Sequence, residues 1–251
     1  MAIITAHSGC EGTETDSMES IDIALELGAD AVEVDVRVDH EGILRISHNS
    51  VSQQEFLGKP TFREVLERVV PTGLMINCDI KEQKALYRTL DEAARAGLGK
   101  DRLILSGCTG PEQLARDREL KEQAKIFLNA EEVIKFIYFR QEIDFDMSRF
   151  SELMNDPWIL IREKGEERQA DYAAEAADLF RQLAPDAANI SKTLLGTPLF
   201  DALRDSGIPF SVWTVKEPEI VRQCLDLDVL NITTRDVRQA LDIRKGYLRS
   251  S

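Results

Sequence analysis

The chain has 251 residues, 43% hydrophobic and 30% charged, which excludes disordered, collagen-like and membrane-spanning classes. Acidic residues number 45 and basic ones 31, giving a net charge of −14. With no basic run, nucleic acid and anionic membrane surfaces are poor partners; an anionic ligand is disfavoured too unless a bound cation reverses the sign locally. Cys10, Cys78, Cys108 and Cys224 lie far apart and form no CxxC pair, so neither a zinc knuckle nor a disulfide framework is indicated. The opening Met1-Ala-Ile-Ile-Thr-Ala6 lacks a basic n-region and a signal-length apolar run, so a cytoplasmic location is expected.

Short apolar runs alternate with amphipathic stretches along the chain. The pattern predicts strands over 2–6, 31–37, 74–80, 102–105, 125–128, 187–190, 209–213 and 229–233. The first helix is expected over 17–27, ending at Gly28 as a C′ residue. Segment 38–48 breaks the rhythm: the turn Asp39-His40-Glu41-Gly42 lies between Val36/Val38 and Ile43/Leu44/Ile46, which predicts a β-hairpin. Ser50 to Lys59 then leads straight into a helix at Thr61-Phe62. Segment 129–186 is longer than a strand–helix repeat needs and is irregular in its rhythm: it holds an apolar-rich helical run over Val133 to Phe139, a short one over Phe150 to Met154, the run Pro157 to Ile161 and a long helix from about 167 to 184. A lid, or a subunit contact through 129–160, would sit there. Further helices are expected over 197–206 and 217–227, the latter with Pro218 at an early position. About eight strand–helix repeats in this length fit an α/β protein of the (β/α)₈ barrel type, one domain over 1–251. A doubly wound open sheet is the alternative, but no Gly-rich phosphate turn follows the first strand.

Three histidines are present. His40 falls in the hairpin turn, whereas His7 follows the first strand and His48 ends the second hairpin strand. Both of these therefore belong to strand C-terminal ends, where barrel enzymes build their sites. In Val32-Glu33-Val34-Asp35-Val36-Arg37 the valines share one face and Glu33, Asp35 and Arg37 the other. The third strand repeats this, with Asn77, Asp79 and Lys81 opposite Leu74, Ile76, Cys78 and Ile80. Carboxylates gathered in a pocket repel, and a divalent cation removes the repulsion. An all-oxygen set from Glu33, Asp35 and Asp79 suits Mg²⁺ or Ca²⁺ better than zinc. Two histidines, one cation and Lys81 suffice for phosphodiester cleavage, with one imidazole taking a proton and the other giving one.

These residues stand in a recognisable order. Ala6-His7-Ser8-Gly9, Glu26 to Arg37, Glu41-Gly42 and Ser47-His48-Asn49 resemble the glycerophosphodiester phosphodiesterase family, with its H-R-G, G-A-D-x-x-E-x-D-V, D-G and H-D motifs. Asn77 to Lys81 is similar to its N-x-E-x-K strand. Val212-Trp213-Thr214-Val215 is similar to its W-T-V-N, and Leu230 to Thr234 to its final G-I-I-T-D. The resemblance implies a barrel with His7 and His48 as the acid–base pair and Glu33, Asp35 and Asp79 as ligands of one divalent cation. Lys81 would contact the phosphate and Trp213 would wall the pocket, or equally be plain core. The substrate would be a small phosphodiester.

The chain departs from the family pattern in its gripping residues. Ser8 replaces the arginine after the first histidine and remains the substrate-side residue there. Glu14-Thr15-Asp16-Ser17 stands for P-E-N-T, Asn49 replaces an aspartate, Lys216 an asparagine, and the third acid is the shorter Asp79. Arg162 and Lys164 are the weak candidates to supply the missing cation by folding over the mouth. The alternatives to diester hydrolysis are a phospholipase-type reaction forming a cyclic phosphate, for which no apolar rim is evident, and a degenerate barrel that binds without turnover.

Overall fold

The computed structural model describes residues 1–50, 52–141 and 146–250. Its strands are β1 (Ile3–Ala6), β2 (Ala31–Val38), β3 (Leu44–Ile46), β4 (Met75–Ile80), β5 (Leu103–Gly107), β6 (Lys125–Asn129), β7 (Ala187–Ser191), β8 (Phe210–Trp213) and β9 (Asn231–Thr234). The helices are α1 (Met18–Leu27), α2 (Gln53–Leu57), α3 (Phe62–Val69), α4 (Gln83–Arg95), α5 (Pro111–Arg116), α6 (Leu120–Gln123) and α7 (Ala130–Gln141), then α8 (Phe150–Asn155), α9 (Pro157–Arg162), α10 (Glu166–Leu183), α11 (Pro198–Asp205), α12 (Pro218–Asp226) and α13 (Val237–Ser250). All eight expected strands form, with ends shifted by no more than two residues. Every strand but β3 pairs in parallel with its neighbours, and β1 joins both β9 and β2, so the sheet closes into a (β/α)₈ barrel.

Local chemistry explains the elements. The Ser17 side chain accepts a hydrogen bond from the Ser20 N–H to start α1, and Gly28, at φ 76, turns the chain out in the left-handed region. Thr61 and Glu64 form a reciprocal capping box at the start of α3. Along β2 the valines point outward into the helix layer, where Val32, Val34 and Val36 are buried. The barrel interior is divided. Ile104, Phe127 and Ala187, with Met75 and Leu230, form an apolar floor near the strand N-termini. Above it lies a polar layer in which Thr5 Oγ1 donates to Asn231 Oδ1 (2.6 Å), Ser106 Oγ to Asn77 Oδ1 (3.0 Å) and Asn189 Nδ2 to Asn129 Oδ1 (2.7 Å). Buried amides and hydroxyls are stable there because they satisfy one another.

Two stretches add to expectation. Segment 129–186 breaks the alternation and forms the helical runs expected in it, Val133 to Phe139 within α7, Phe150 to Met154 within α8 and the long helix as α10, with α9 added between them. Pro157, at the first position of α9, starts a helix in the apolar run Trp158-Ile-Leu-Ile161, too short for its period to be read. Between Ser50 and Lys59 the short helix α2 precedes α3, capped by a Ser52–Glu55 box. Among the described residues no helix is long and apolar enough to cross a membrane.

The hairpin is the main departure from a plain barrel. β2 runs past the barrel rim, turns at Asp39 to Gly42, and β3 returns antiparallel with Val36 opposite Ile46. Asp39, 3% exposed, organises the turn: Oδ1 accepts from the Glu41 and Ile43 N–H groups and Oδ2 from Arg45 Nε, at 2.8–2.9 Å. Burial opposes ionisation of this carboxyl, but Arg45 and the two backbone N–H groups outweigh it and hold its pKa below the ordinary range. A carboxyl depressed in the folded state stabilises fully above its unfolded pKa of ~3.9 and loses that contribution as pH falls through the folded value. Asp39→Ala strands Arg45 and two backbone donors, and should cost about 3 kcal/mol in denaturant unfolding. The Asp39→Ala deficit should shrink at acid pH, where the wild-type carboxyl is protonated.

Candidate active site

Register brings the acids together. In the parallel ladder Glu33 lies opposite Asn77 and Asp35 opposite Asp79, so two aspartates from adjacent strands share one level at the C-terminal rim. The longer glutamate reaches them from the layer beneath. One carboxylate oxygen from each of Glu33, Asp35 and Asp79 lies within 4.8 Å of the others. Lys81 Nζ sits 2.7 Å from Asp35 Oδ1 and 2.7 Å from Asp79 Oδ2. When all three acids are ionised, one ammonium leaves two negative charges uncompensated, the charge of one divalent cation.

The site's electrostatics report the same shortage. Burial, then Asp35 and Asp79, push Glu33 well above the usual carboxylate range. Burial lifts Asp35 to about 6 despite the opposing pull of Lys81. Burial works against the Lys81 ammonium, but Asp79 and Asp35 more than offset it and hold the ammonium protonated. Glu33 Oε2 and Asp79 Oδ1 are buried with no hydrogen-bond partner. Unpaired buried carboxylate oxygens are costly, and an oxygen-preferring cation is the partner their chemistry fits. Gly107, at φ +77, makes room for this cluster: a Cβ there would stand 2.0 Å from Asp79 Oδ1 and 2.4 Å from Ile80 O.

His7 lies beside the acids, with Nε2 3.6 Å from Glu33 Oε2 and Nδ1 2.9 Å from Ser8 O. Burial is the main cause that holds its pKa below the ordinary histidine value, and the neighbouring Arg235 adds to it. His48 arrives by another route. Its strand runs antiparallel, so the chain end of β3 is brought back down to the barrel rim, where the Ser47 N–H donates to Asp35 O (2.9 Å). The His48 side chain is exposed, but its backbone is clamped. Asp16 Oδ2 accepts from the His48 N–H (3.0 Å), while Arg37 Nε and Nη2 donate to its carbonyl (3.2 and 2.9 Å). His48 Nδ1 lies 3.1 Å from Asn49 Oδ1. Each ring thus has an acceptor for an Nδ1 proton, the tautomer that leaves Nε2 for proton transfer.

A cavity of about 290 Å³ opens over these groups, lined by His7, Glu33, Asp35, His48, Asp79, Lys81 and Trp213 among others. Of the two readings of Trp213, the structure has it half-buried in the cavity wall, its indole N–H buried without an acceptor. Ser8 does not line the cavity. It is buried, with its hydroxyl accepting from the Asp16 N–H (2.7 Å) and turned towards Asp16 Oδ1 (3.3 Å). Arg162 and Lys164 are also absent from the lining: Lys164 lies over the Tyr138 ring, 5.4 Å from its centroid. Sequence reasoning missed Asp16, Arg235 and the inward Ser106, Asn129, Asn189 and Thr233. The alternation that exposed Glu33 and Asp35 would have found the last four.

A profile of the "Glycerophosphoryl diester phosphodiesterase family" matches residues 7–238. Among solved structures, a glycerophosphodiester phosphodiesterase from Thermotoga maritima aligns with TM-score 0.67 at 20% identity, covering 97% of this chain and 98% of its own. One from Parabacteroides distasonis aligns with TM-score 0.67 at 15% identity over 100% and 98%. An Oleispira antarctica phosphodiesterase in complex with the product sn-glycerol-3-phosphate aligns with TM-score 0.63 at 13% identity over 98% and 97%. No curated protein matches the chain. With the family profile spanning nearly the whole barrel, from the first histidine to the start of α13, the chain belongs to the glycerophosphoryl diester phosphodiesterase family and is a phosphodiesterase.

Proposed function

We propose that the chain, acting as one domain over residues 1–251, hydrolyses a glycerophosphodiester to glycerol phosphate and an alcohol with His7 and His48 as its acid–base pair. The observation that carries this is the convergence of three under-compensated carboxylates, a lysine and two histidines on one cavity, in a chain of this family. The sn-glycerol-3-phosphate bound to the Oleispira antarctica relative supports the product class. Four free cysteines accord with a reducing cytoplasm.

Glu33, Asp35 and Asp79 would hold Mg²⁺ or Ca²⁺, which supplies positive charge to the phosphoryl oxygens when bound. Lys81, fixed between two aspartates, adds a second positive charge at the same rim and orients a phosphate by its free N–H directions. One imidazole accepts the proton of the attacking water and the other protonates the leaving alkoxide. Trp213 offers an apolar face to the ester group.

A second reading, in which a substrate hydroxyl attacks to give a cyclic phosphate, would draw on an apolar surface, and the segment after β6 carries one outside the cavity lining. Phe139, Met147, Phe150 and Met154 are 43–70% exposed on the segment after β6. The same side chains make 129–160 the place for a contact between copies. Phosphorus NMR of the products separates hydrolysis from cyclisation, and light scattering of Met154→Glu tests self-association.

Adding Mg²⁺ or Ca²⁺ should raise the unfolding free energy, by about 2.7 kcal/mol at one hundred times the dissociation constant. Asp35→Asn should abolish that gain together with turnover, and Gly107→Ala, which crowds Asp79, should weaken it. Thermal scans with and without chelator read this without any substrate. His7→Ala and His48→Ala should each lower kcat on the order of 10²–10⁴-fold. Near-normal turnover in either, in an assay of released glycerol phosphate over a panel of diesters, overturns the paired mechanism.

A further inference from the structure

We propose that Arg235 is the guanidinium that grips the substrate phosphate, taking the part that Ser8 cannot play; this rests on the phosphodiesterase reading above. Three observations support it. First, Ser8 is committed elsewhere, since its hydroxyl is bonded to Asp16 and the residue is buried off the cavity. Second, the register puts Arg235 beside the cavity: it is not itself a lining residue, but its Nε lies against His7, which is, and its side chain would reach a phosphate by extending past that ring. Asn231 and Thr233 face the barrel interior, where Asn231 Nδ2 bonds Ser211 Oγ and Thr233 Oγ1, and Thr233 lines the cavity. Arg235 follows the last residue of β9, in the bend that leads to α13. The neighbouring ladder pairs Thr5 with Thr233 and Ala6 with Thr234, and the His7 N–H donates to Thr234 O (2.8 Å), so Arg235 comes level with His7.

Third, this arginine has no anionic partner. Among the described residues no carboxylate lies within 4.0 Å of it, in a chain with 45 acids for 31 bases. Its one side-chain contact is Nε at 3.3 Å from His7 Nδ1, a nitrogen that Ser8 O also approaches at 2.9 Å. One nitrogen cannot donate to a carbonyl and accept from a guanidinium at once, so the two contacts compete. The terminal Nη groups are left for a ligand. A half-buried, unpaired guanidinium beside a catalytic histidine is suited to a phosphate, which it can grip through two charge-assisted bonds.

The test is calorimetric titration of the Mg²⁺-supplemented protein with sn-glycerol 3-phosphate, alongside diester kinetics. Arg235→Gln should weaken binding about 10- to 100-fold, the worth of about one charge-assisted bond, with Arg235→Lys intermediate. The exposed Arg238→Gln removes the same charge nearby and should leave binding unchanged. In kinetics KM should rise while kcat changes far less, the signature of a contact made equally in ground and transition states. Unchanged affinity in Arg235→Gln, an equal loss in Arg238→Gln, or a wild type that does not bind the probe overturns the proposal. If affinity falls as expected but no diester is cleaved, the hydrolytic reading fails and the phosphate site stands. If diesters are cleaved with KM untouched by Arg235→Gln, the reverse holds.

Discussion

Three carboxylates and one lysine, brought together where β2 and β4 end, are the constraint around which this barrel mouth is organised. Like charges in a medium of low dielectric repel strongly, so the strands that carry them must be held by something else. The outward valines of β2 and the matching Ile76, Cys78 and Ile80 of β4 do that, driven into the helix layer by their burial. The apolar floor of Ile104, Phe127 and Ala187 keeps the lower barrel dry, while the polar layer above it lets the mouth stay open to ligands. Stability is supplied outside and beneath, and the chemistry sits on top. Gly107 belongs to the same bargain, since only a residue without a side chain lets β5 approach Asp79 so closely.

The hairpin solves a second problem. A barrel strand delivers a side chain only at its own end, and β2 already spends its rim positions on Asp35 and Arg37. By overshooting and returning, the chain places His48 at the same rim from the opposite direction, with Asp39 and Arg45 locking the turn. The backbone of His48 is then pinned between Asp16 and Arg37, so an exposed imidazole still has a defined origin.

Much of this was legible before any coordinates. Strand positions followed from apolar runs bounded by turn residues, and the acid cluster from period-two alternation, because both depend on neighbours within one strand. The hairpin followed from Asp39 to Gly42. What escaped was longer in range or shorter in signal. The helix α9 is too brief and too evenly apolar for a period to show. The bond from Asp16 to the His48 N–H joins residues 32 apart through a carboxylate that resembles any loop aspartate. The Arg235–His7 contact spans almost the whole chain, across the seam where β9 closes on β1. Only closure makes those two residues neighbours.

That seam gives the mouth a polarity. Its β2–β4 side is acidic and, on the proposed reading, cation-loaded, whereas its β9 side carries a guanidinium without a carboxylate. Asp16 ties the departures together, for it bonds both Ser8 and the backbone of His48 and has Lys59 at 3.9 Å. An arginine in place of Ser8 would be drawn into a bidentate pair with Asp16 and lost to a ligand. With serine there, Asp16 is spent on positioning His48, and on the proposed reading the positive charge that a phosphate requires is carried instead by Arg235, just past a strand whose inward face has no acid to capture it.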